Sequence, residues 1–580
     1  MYMCQRLNRG LMTTSDNAAS KIIPCRPINV DPASKRSFDL AREWLQTCIA
    51  DHAQCPKPSL NFMPKRVICI SQNLTGFSLR LVETEGLRGL YCALSYCWGG
   101  DQKTKAMKNT LAQLKTDIDF NKLPATLQDA ITTTHGLGLR YLFVDSLCIL
   151  QDDEKDMHIQ ISQMSEIYSE AAITILASRA KAVDFSFPHK RESSIPIDHS
   201  SSLFKMPLRC PDGEVGSVVV LGNGHMENRV SGPLRSRAWA FQENLMSART
   251  LNYEDEHTIW RCSTIKDLND GWLRTSKFLH YASFESVPKI LRPRSAIKAT
   301  EETEHSDERP ELFWQWHGLV KEYSRLGLSF PSDKLPAISA IATRIGSALG
   351  DEYHAGIWKS RFPHDLLWES GLTQHPRPKE FRAPSWSWAA IDGDLSQIDA
   401  SREPFSLEVL ECHPELESPA APYGAVTGGH LVVRGRLRRA ILSGIKRRVD
   451  TFFEESEPTM FTLPKIFHIV EPGWEGVEAL IPMNFDAVEQ EFEDKTNMDI
   501  AMLEVCGHRP LSCHGLILRE VGPQKFSRLG LFGYRCGIIA HYSRDSSDAD
   551  GWLEGGGWTS SYENWLQGFD GCDLTTFTFV

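Results

Sequence analysis

The sequence predicts an α/β fold: a parallel sheet core, then a helical extension, then a C-terminal antiparallel β-rich region. Three observations predict it. Between residues 89 and 253, short apolar runs alternate with amphipathic stretches, the rhythm of strands joined by crossover helices. From about 255 to 360 helical spacing dominates, interrupted by the acidic surface run "EETEHSDERPE". From about 380 onward, runs such as "GGHLVVRGRLRRAIL" and "CHGLILREV" read as short strands between turn residues.

Taken in order, residues 1–65 form a polar segment followed by a short helix, "SFDLAREWLQTCIADHAQC". Residues 66–253 form the α/β domain, opening with the β-rich runs "RVICI", "FSLRLVE" and "YCALSYCW". In "LPATLQDAITTTHGLG", Leu127, Ala130 and Ile131 fall at helical spacing, with Pro124 in the opening turn and Gly136 and Gly138 to stop it. "RYLFVDSLCIL" is a nearly continuous apolar run, as in strands buried on both faces. "DDEKDMHIQISQMSEIYSEA" reads as one helix with Ile161, Met164, Ile167, Tyr168 and Ala171 on one side, and "AAITILAS" as another buried strand. Residues 181–233 look like an insertion. "RSRAWAFQENLMSARTLNY" then reads as a helix running into a strand. Residues 254–380 are the mainly helical region and 381–580 the β-rich region.

Composition narrows the function. The net charge of −11 is dispersed and no stretch gathers Lys and Arg, which argues against a nucleic-acid partner. No window approaches the roughly 20 apolar residues of a membrane span, and the N-terminus lacks a signal-peptide core. The 15 cysteines are odd in number and scattered, which suits free thiols in a reducing compartment and a cytoplasmic location.

Ligands of open parallel sheets bind beyond the carboxyl ends of the strands. Two such ends carry polar residues: "ALSYCWGG" supplies Ser95, Trp98, Gly99 and Gly100, and "YLFVDS" supplies Asp145 and Ser146. Each alone is more simply a cap or a turn residue, and only their combination with Glu243 points to a polar crevice. In the helix after the insertion, Leu234, Ala238, Phe241 and Leu245 make a complete core-facing stripe, and Trp239 and Glu243 fall on a flank outside it. A carboxylate against an indole is partly desolvated and could polarise a hydroxyl or stabilise a cation. Spacing alone favours the plainer alternative, a surface glutamate paired with Arg235 or Arg237.

Cys48, His52 and Cys55 share one helical face and form a zinc-like ligand set, but three ligands fall short of the four of a closed structural site. The expectation is therefore packed thiols and no metal. Nothing local supports Cys97 or Cys148 as nucleophiles, and "GNGHME" lacks the strand and helix that would make it a phosphate loop.

The stretches "YCALSYCWGG", "LPATLQDAITTTHGLGLRYLFVDSLCILQDD", "MSEIYSEAAITILAS" and "GPLRSRAWAFQENLMSARTL", in this order, resemble the fungal heterokaryon incompatibility (HET) domain. Phe143, Met157 and Ala238 are mild departures from its pattern. The resemblance implies a role in fungal nonself recognition leading to cell death, through protein partners or self-assembly. It also implies a flavodoxin-like core similar to the Toll/interleukin-1 receptor (TIR) domain. Some TIR domains cleave NAD with a Trp-x-x-x-Glu arrangement, which Trp239 and Glu243 reproduce. By that likeness Glu243 is the catalytic acid, Ser95, Trp98, Gly99, Gly100, Asp145, Trp239 and Gln242 line the pocket, and Arg235 or Arg237 meets the phosphates. NAD is then a substrate, and no cofactor is implied. The alternative is a non-catalytic module that signals by assembly. The enzymatic reading requires Glu243 to face the same crevice as Ser95 and Asp145.

Overall fold

The computed structural model describes residues 11–191 (except 15, 24, 25, 28 and 75), 203–221, 232–269 (except 256, 266 and 267), 309–371, 375–397, 404–447, 465–470, 478–487, 498–507, 512–535, 569 and 572–580. The chain divides into two compact units, Met1–Glu308 and Arg309–Val580.

The first unit is built on an eight-stranded mixed sheet. Its strands are β1 (Arg66–Asn73), β2 (Gly76–Glu83), β3 (Tyr91–Ser95), β4 (Tyr141–Phe143), β5 (Ile173–Leu176), β6 (Arg249–Tyr253), β7 (Thr258–Cys262) and β8 (Leu268–Asn269), in the order β8-β7-β6-β5-β3-β4-β1-β2. β4, β3, β5 and β6 run parallel. The outer strands on both sides are antiparallel. Every residue of β3, β5 and β6 is buried, which is why "YCALS" and "ITIL" carry little alternation, whereas "RTLNY" buries polar residues as well.

Five helices matter to the site and its surroundings: α1 (Lys35–Asp51), α2 (Ala125–Gly136), α4 (Glu154–Ser162), α5 (Met164–Ser169) and α6 (Ala238–Met246), with a four-residue turn α3 (Asp145–Cys148) after β4. Right-handed crossovers place α2 on one face of the sheet, and α4, α5 and α6 on the other. The packing agrees: α1 lies against α2, and α5 against α6. The chain leaves β3 in one direction and later returns past it to β5, so the strand order reverses between these two neighbours. In open α/β sheets that is where ligands bind.

Three local expectations are corrected. The apolar run "RYLFVDSLCIL" stops as a strand at Phe143, because the Asp145 side chain accepts the Ser146 N–H at 2.6 Å and the Cys148 N–H returns to the Val144 carbonyl at 2.7 Å, which starts a helical turn. The single helix expected over residues 152–171 is two, α4 and α5, meeting at Gln163. The helix expected from Arg235 begins only at Ala238, since Pro233–Ser236 forms a 3-10 turn and Arg237 is extended. Within residues 181–233, Leu203–Arg209 and Val215–Leu221 form a hairpin that pairs with Leu11–Met12 as a separate small sheet. Residues 270–308, where the sequence reads as helical, lie outside those described.

The second unit carries helices α7 (Arg309–Ser324) and α8 (Ser339–Leu349) and a C-terminal sheet. Its strands β9 (Val426–Arg447), β10 (Lys465–Val470), β11 (Glu478–Phe485), β12 (Met498–Cys506), β13 (Ser512–Gly522) and β14 (Lys525–Arg535) pair in the ring β9-β10-β11-β14-β13-β12-β9, all antiparallel. These strands contribute a buried cluster that includes Met483, Met502, Cys513, Ile517 and Phe532. Beside it Arg528 makes a two-pronged ion pair with Asp486 at 2.8 and 3.0 Å, its guanidinium 3.4 Å from the Trp368 ring centroid. No described helix is long and apolar enough to cross a membrane.

Candidate functional site

The site grows from the two strand ends that flank the reversal. β3 ends at Ser95, which lies in register with Leu176 at the end of β5, and the Ala177 N–H donates to the Ser95 carbonyl at 3.0 Å. Beyond β3 the chain runs Tyr96, Cys97, Trp98, and then turns through Gly99 and Gly100 at φ +76° and +126°. A Cβ on Gly99 would fall 2.1 Å from the Ala182 Cβ, so this turn is pressed against the loop after β5. Gly100 faces open space.

Asp145 follows the neighbouring strand β4. Its Oδ2 accepts the Trp98 indole N–H at 2.9 Å and its Oδ1 the Ser146 N–H. Tyr96 donates to Ser146 Oγ at 2.9 Å and accepts from Gln102 at 3.1 Å, which fixes the floor between the two strand ends. Burial raises the Asp145 carboxyl pKa, and the Trp98 bond, the Ser146 N–H and the charge of Arg237 only partly offset it.

Glu243 comes from the third direction, on α6. It is 7% exposed, and Ala240, Phe241, Gln242, Leu245 and Met246 are buried around it, so the helix is enclosed on more than its one expected stripe. Burial pushes the Glu243 carboxyl up to about 7; Ser95 lowers it, Asp145 raises it, and Arg237 and Tyr168 lower it. α6 packs against β3, and the Glu243 carboxyl feels the Asp145 carboxyl, Ser95 and Arg237. Ser95 Oγ is buried and makes no hydrogen bond of normal geometry among the described residues, yet it lies near enough to Glu243 to favour the carboxylate. Arg237 is held by its bond to the Tyr96 carbonyl at 3.1 Å. Tyr168 donates to the Leu94 carbonyl at 3.0 Å, and burial holds its phenol far from ionising.

The structure thus gathers Glu243, Ser95, Asp145, Trp98 and Arg237. Trp239 is half-buried one turn before Glu243 on α6, and Gln242 is buried beside it. Arg235 goes elsewhere, bonding Glu254 beyond the end of β6, where Asn252 donates to the same carboxylate at 2.8 Å. Sequence spacing could not choose between the two arginines. Tyr168 and Tyr96 were missed as site residues: Tyr168 lies on an apolar helical stripe and reads as core, and Tyr96 reads as an ordinary strand aromatic.

Two desolvated carboxyls, one guanidinium and a buried serine hydroxyl make a polar cluster with shifted carboxyl pKa values, the kind of cluster that is frequent at functional sites. The matched region begins at the first residue of β3 and ends at the acid itself. Residues 91–243 match the family model for heterokaryon incompatibility protein (HET). No curated protein and no solved structure matches the chain. The matched residues therefore span the four polar contributors described above, from Ser95 to Glu243. β1, β2, α1, β6 and β7 lie outside the matched residues although they belong to the same compact unit.

Proposed function

We propose that this is a fungal nonself-recognition protein whose HET segment triggers cell death by cleaving NAD. The observation that carries the reading is the convergence of Glu243, Ser95, Asp145 and Arg237 where the parallel strand order reverses. The order of the parallel strands, with the second lying outside the first, is that of flavodoxin-like sheets and supports a TIR-like core.

In the proposed reaction the bond from nicotinamide nitrogen to ribose C1′ breaks, and nicotinamide leaves with the bonding electrons. Water adds to C1′ and releases a proton, giving ADP-ribose. Glu243, as carboxylate, stabilises the positive charge on the sugar in the transition state, an electrostatic contribution of several kcal/mol in comparable sites. Arg237 meets a phosphate and helps keep Glu243 ionised. Asp145, held by Trp98, fixes the pocket wall and bonds a sugar hydroxyl. The protein acts with protein partners or further copies of itself in the cytoplasm.

A second reading, a non-catalytic module that signals by assembly, draws support from the low exposure of Glu243. Expression of the full chain and of Glu243→Gln in fungal cells separates the two. Catalysis requires growth arrest with falling cellular NAD in the wild type and neither in the variant. Arrest by both, with NAD unchanged, favours assembly.

A further inference from the structure

Helix α1 stops at Asp51 and the backbone is extended at His52, so Cys55 does not continue the helical face of Cys48 that the spacing suggests; the stretch "CIADHAQC" still offers three soft ligands and lacks a fourth in the local sequence. Folding supplies it. Cys262, at the end of β7, brings its sulfur to the same point, and the ligand atoms of Cys48, His52, Cys55 and Cys262 all lie within 4.8 Å of one another. We propose that these four residues hold a structural zinc ion that pins α1 to the sheet.

The distances fit a tetrahedron. Zinc bonds of about 2.3 Å to sulfur and about 2.0–2.1 Å to nitrogen imply sulfur–nitrogen edges of about 3.6 Å and sulfur–sulfur edges of about 3.8 Å. His52 Nδ1 is 3.7 Å from Cys55 Sγ and 3.5 Å from Cys262 Sγ. The three sulfurs are buried, and none is in a disulfide.

The surroundings are those of thiolates under load. The Ile265 N–H donates to Cys262 Sγ at 3.3 Å while the Cys262 N–H donates to the Ile265 carbonyl at 2.7 Å, so a tight turn aims a backbone donor at the sulfur. Thr264 Oγ1 lies 3.4 Å from Cys55 Sγ. Arg249, cross-strand partner of Cys262, is 1% exposed and donates from Nε to Cys48 Sγ at 3.1 Å. Its other bonds go to the carbonyls of Ala172 and Pro56, and it has no carboxylate ion pair among the described residues. A buried guanidinium needs a negative charge close by. Zinc with three thiolates and one neutral imidazole carries a net charge of −1, and Arg249 offsets it. Outer donors of this kind orient and tune metal ligands.

The site would close a loop of more than two hundred residues between Cys48 and Cys262. It encloses the entire HET segment, since three ligands precede it and one follows it.

The test is metal content of the full-length chain, purified under reducing conditions from zinc-replete cells, followed by replacement with cobalt(II). The proposal predicts about one zinc per chain, lost in Cys262→Ser and in His52→Ala, and kept in His52→Cys, which restores four ligands. Cobalt should give the intense visible bands of a tetrahedral ion and a sulfur-to-cobalt charge-transfer band. If Cys262→Ser fails to fold, the wild-type cobalt spectrum and the retained zinc of His52→Cys still decide. Wild-type protein without zinc, a disulfide between any two of the three cysteines, or zinc that persists in folded Cys262→Ser would overturn it.

Discussion

The Trp98 indole N–H donates to Asp145 Oδ2 at 2.9 Å, and the two residues stand beyond the ends of adjacent parallel strands. This bond joins the glycine turn after β3 to the helical turn after β4. It is also the strongest influence holding the Asp145 pKa down against burial. Trp98→Phe should therefore raise the Asp145 pKa further and cost about 2 kcal/mol, the usual value of a hydrogen bond to a charged group. Carboxyl NMR titration and urea unfolding check both; an unchanged Asp145 pKa would show that the bond does not form.

Glu243 makes stability depend on pH in a stated direction. Its folded pKa of about 7 lies above its ordinary value of 4.5, so between those values the folded chain keeps a proton that the unfolded chain has lost. Stability contributed by this group is full below pH 4.5, falls as pH rises to about 7, and is flat above, a loss of about 3 kcal/mol. Glu243→Gln should remove that slope. Equal slopes in wild type and variant, measured by chemical unfolding across this window, would contradict the burial assigned to the acid.

The two glycines of the turn should respond unequally. Alanine at either position bears backbone strain of about 1–3 kcal/mol. Gly99→Ala also drives a methyl into Ala182, whereas Gly100→Ala meets open space. Thermal melts should therefore rank Gly99→Ala well below Gly100→Ala, and the reverse order would refute the packing of this turn.

In the second unit, Arg528→Met leaves Asp486 charged and buried without its partner, and should cost about 3–5 kcal/mol. Replacing both residues, with Asp486→Leu added, should recover most of that loss. A double variant as unstable as the sum of the single changes would show that the ion pair is not an isolated unit.

The parallel core was legible because strands buried on both faces read as unbroken apolar runs, and "YCALS" and "ITIL" are such runs. The polar strand ends were legible for a related reason: Ser95 and Asp145 interrupt apolar sequence. What periodicity could not convey is what lies across space. Arg237 and Arg235 are equivalent by spacing, and only the Tyr96 carbonyl and Glu254 distinguish them. Cys262 is invisible as a partner of Cys48 because the two meet only after the sheet has formed. Likewise, closure of the ring of strand pairings in the C-terminal sheet depends on β9 pairing with β12, a register between strands distant in sequence.

The most direct measurement is NAD turnover by the purified full-length chain, wild type against Glu243→Gln, with nicotinamide and ADP-ribose quantified. If Glu243 is the catalytic acid, the wild type yields equal amounts of both products and the variant loses at least about a hundredfold in rate, as expected when several kcal/mol of transition-state stabilisation is removed. Turnover undiminished in Glu243→Gln, or its absence from assembled wild-type protein, would contradict it.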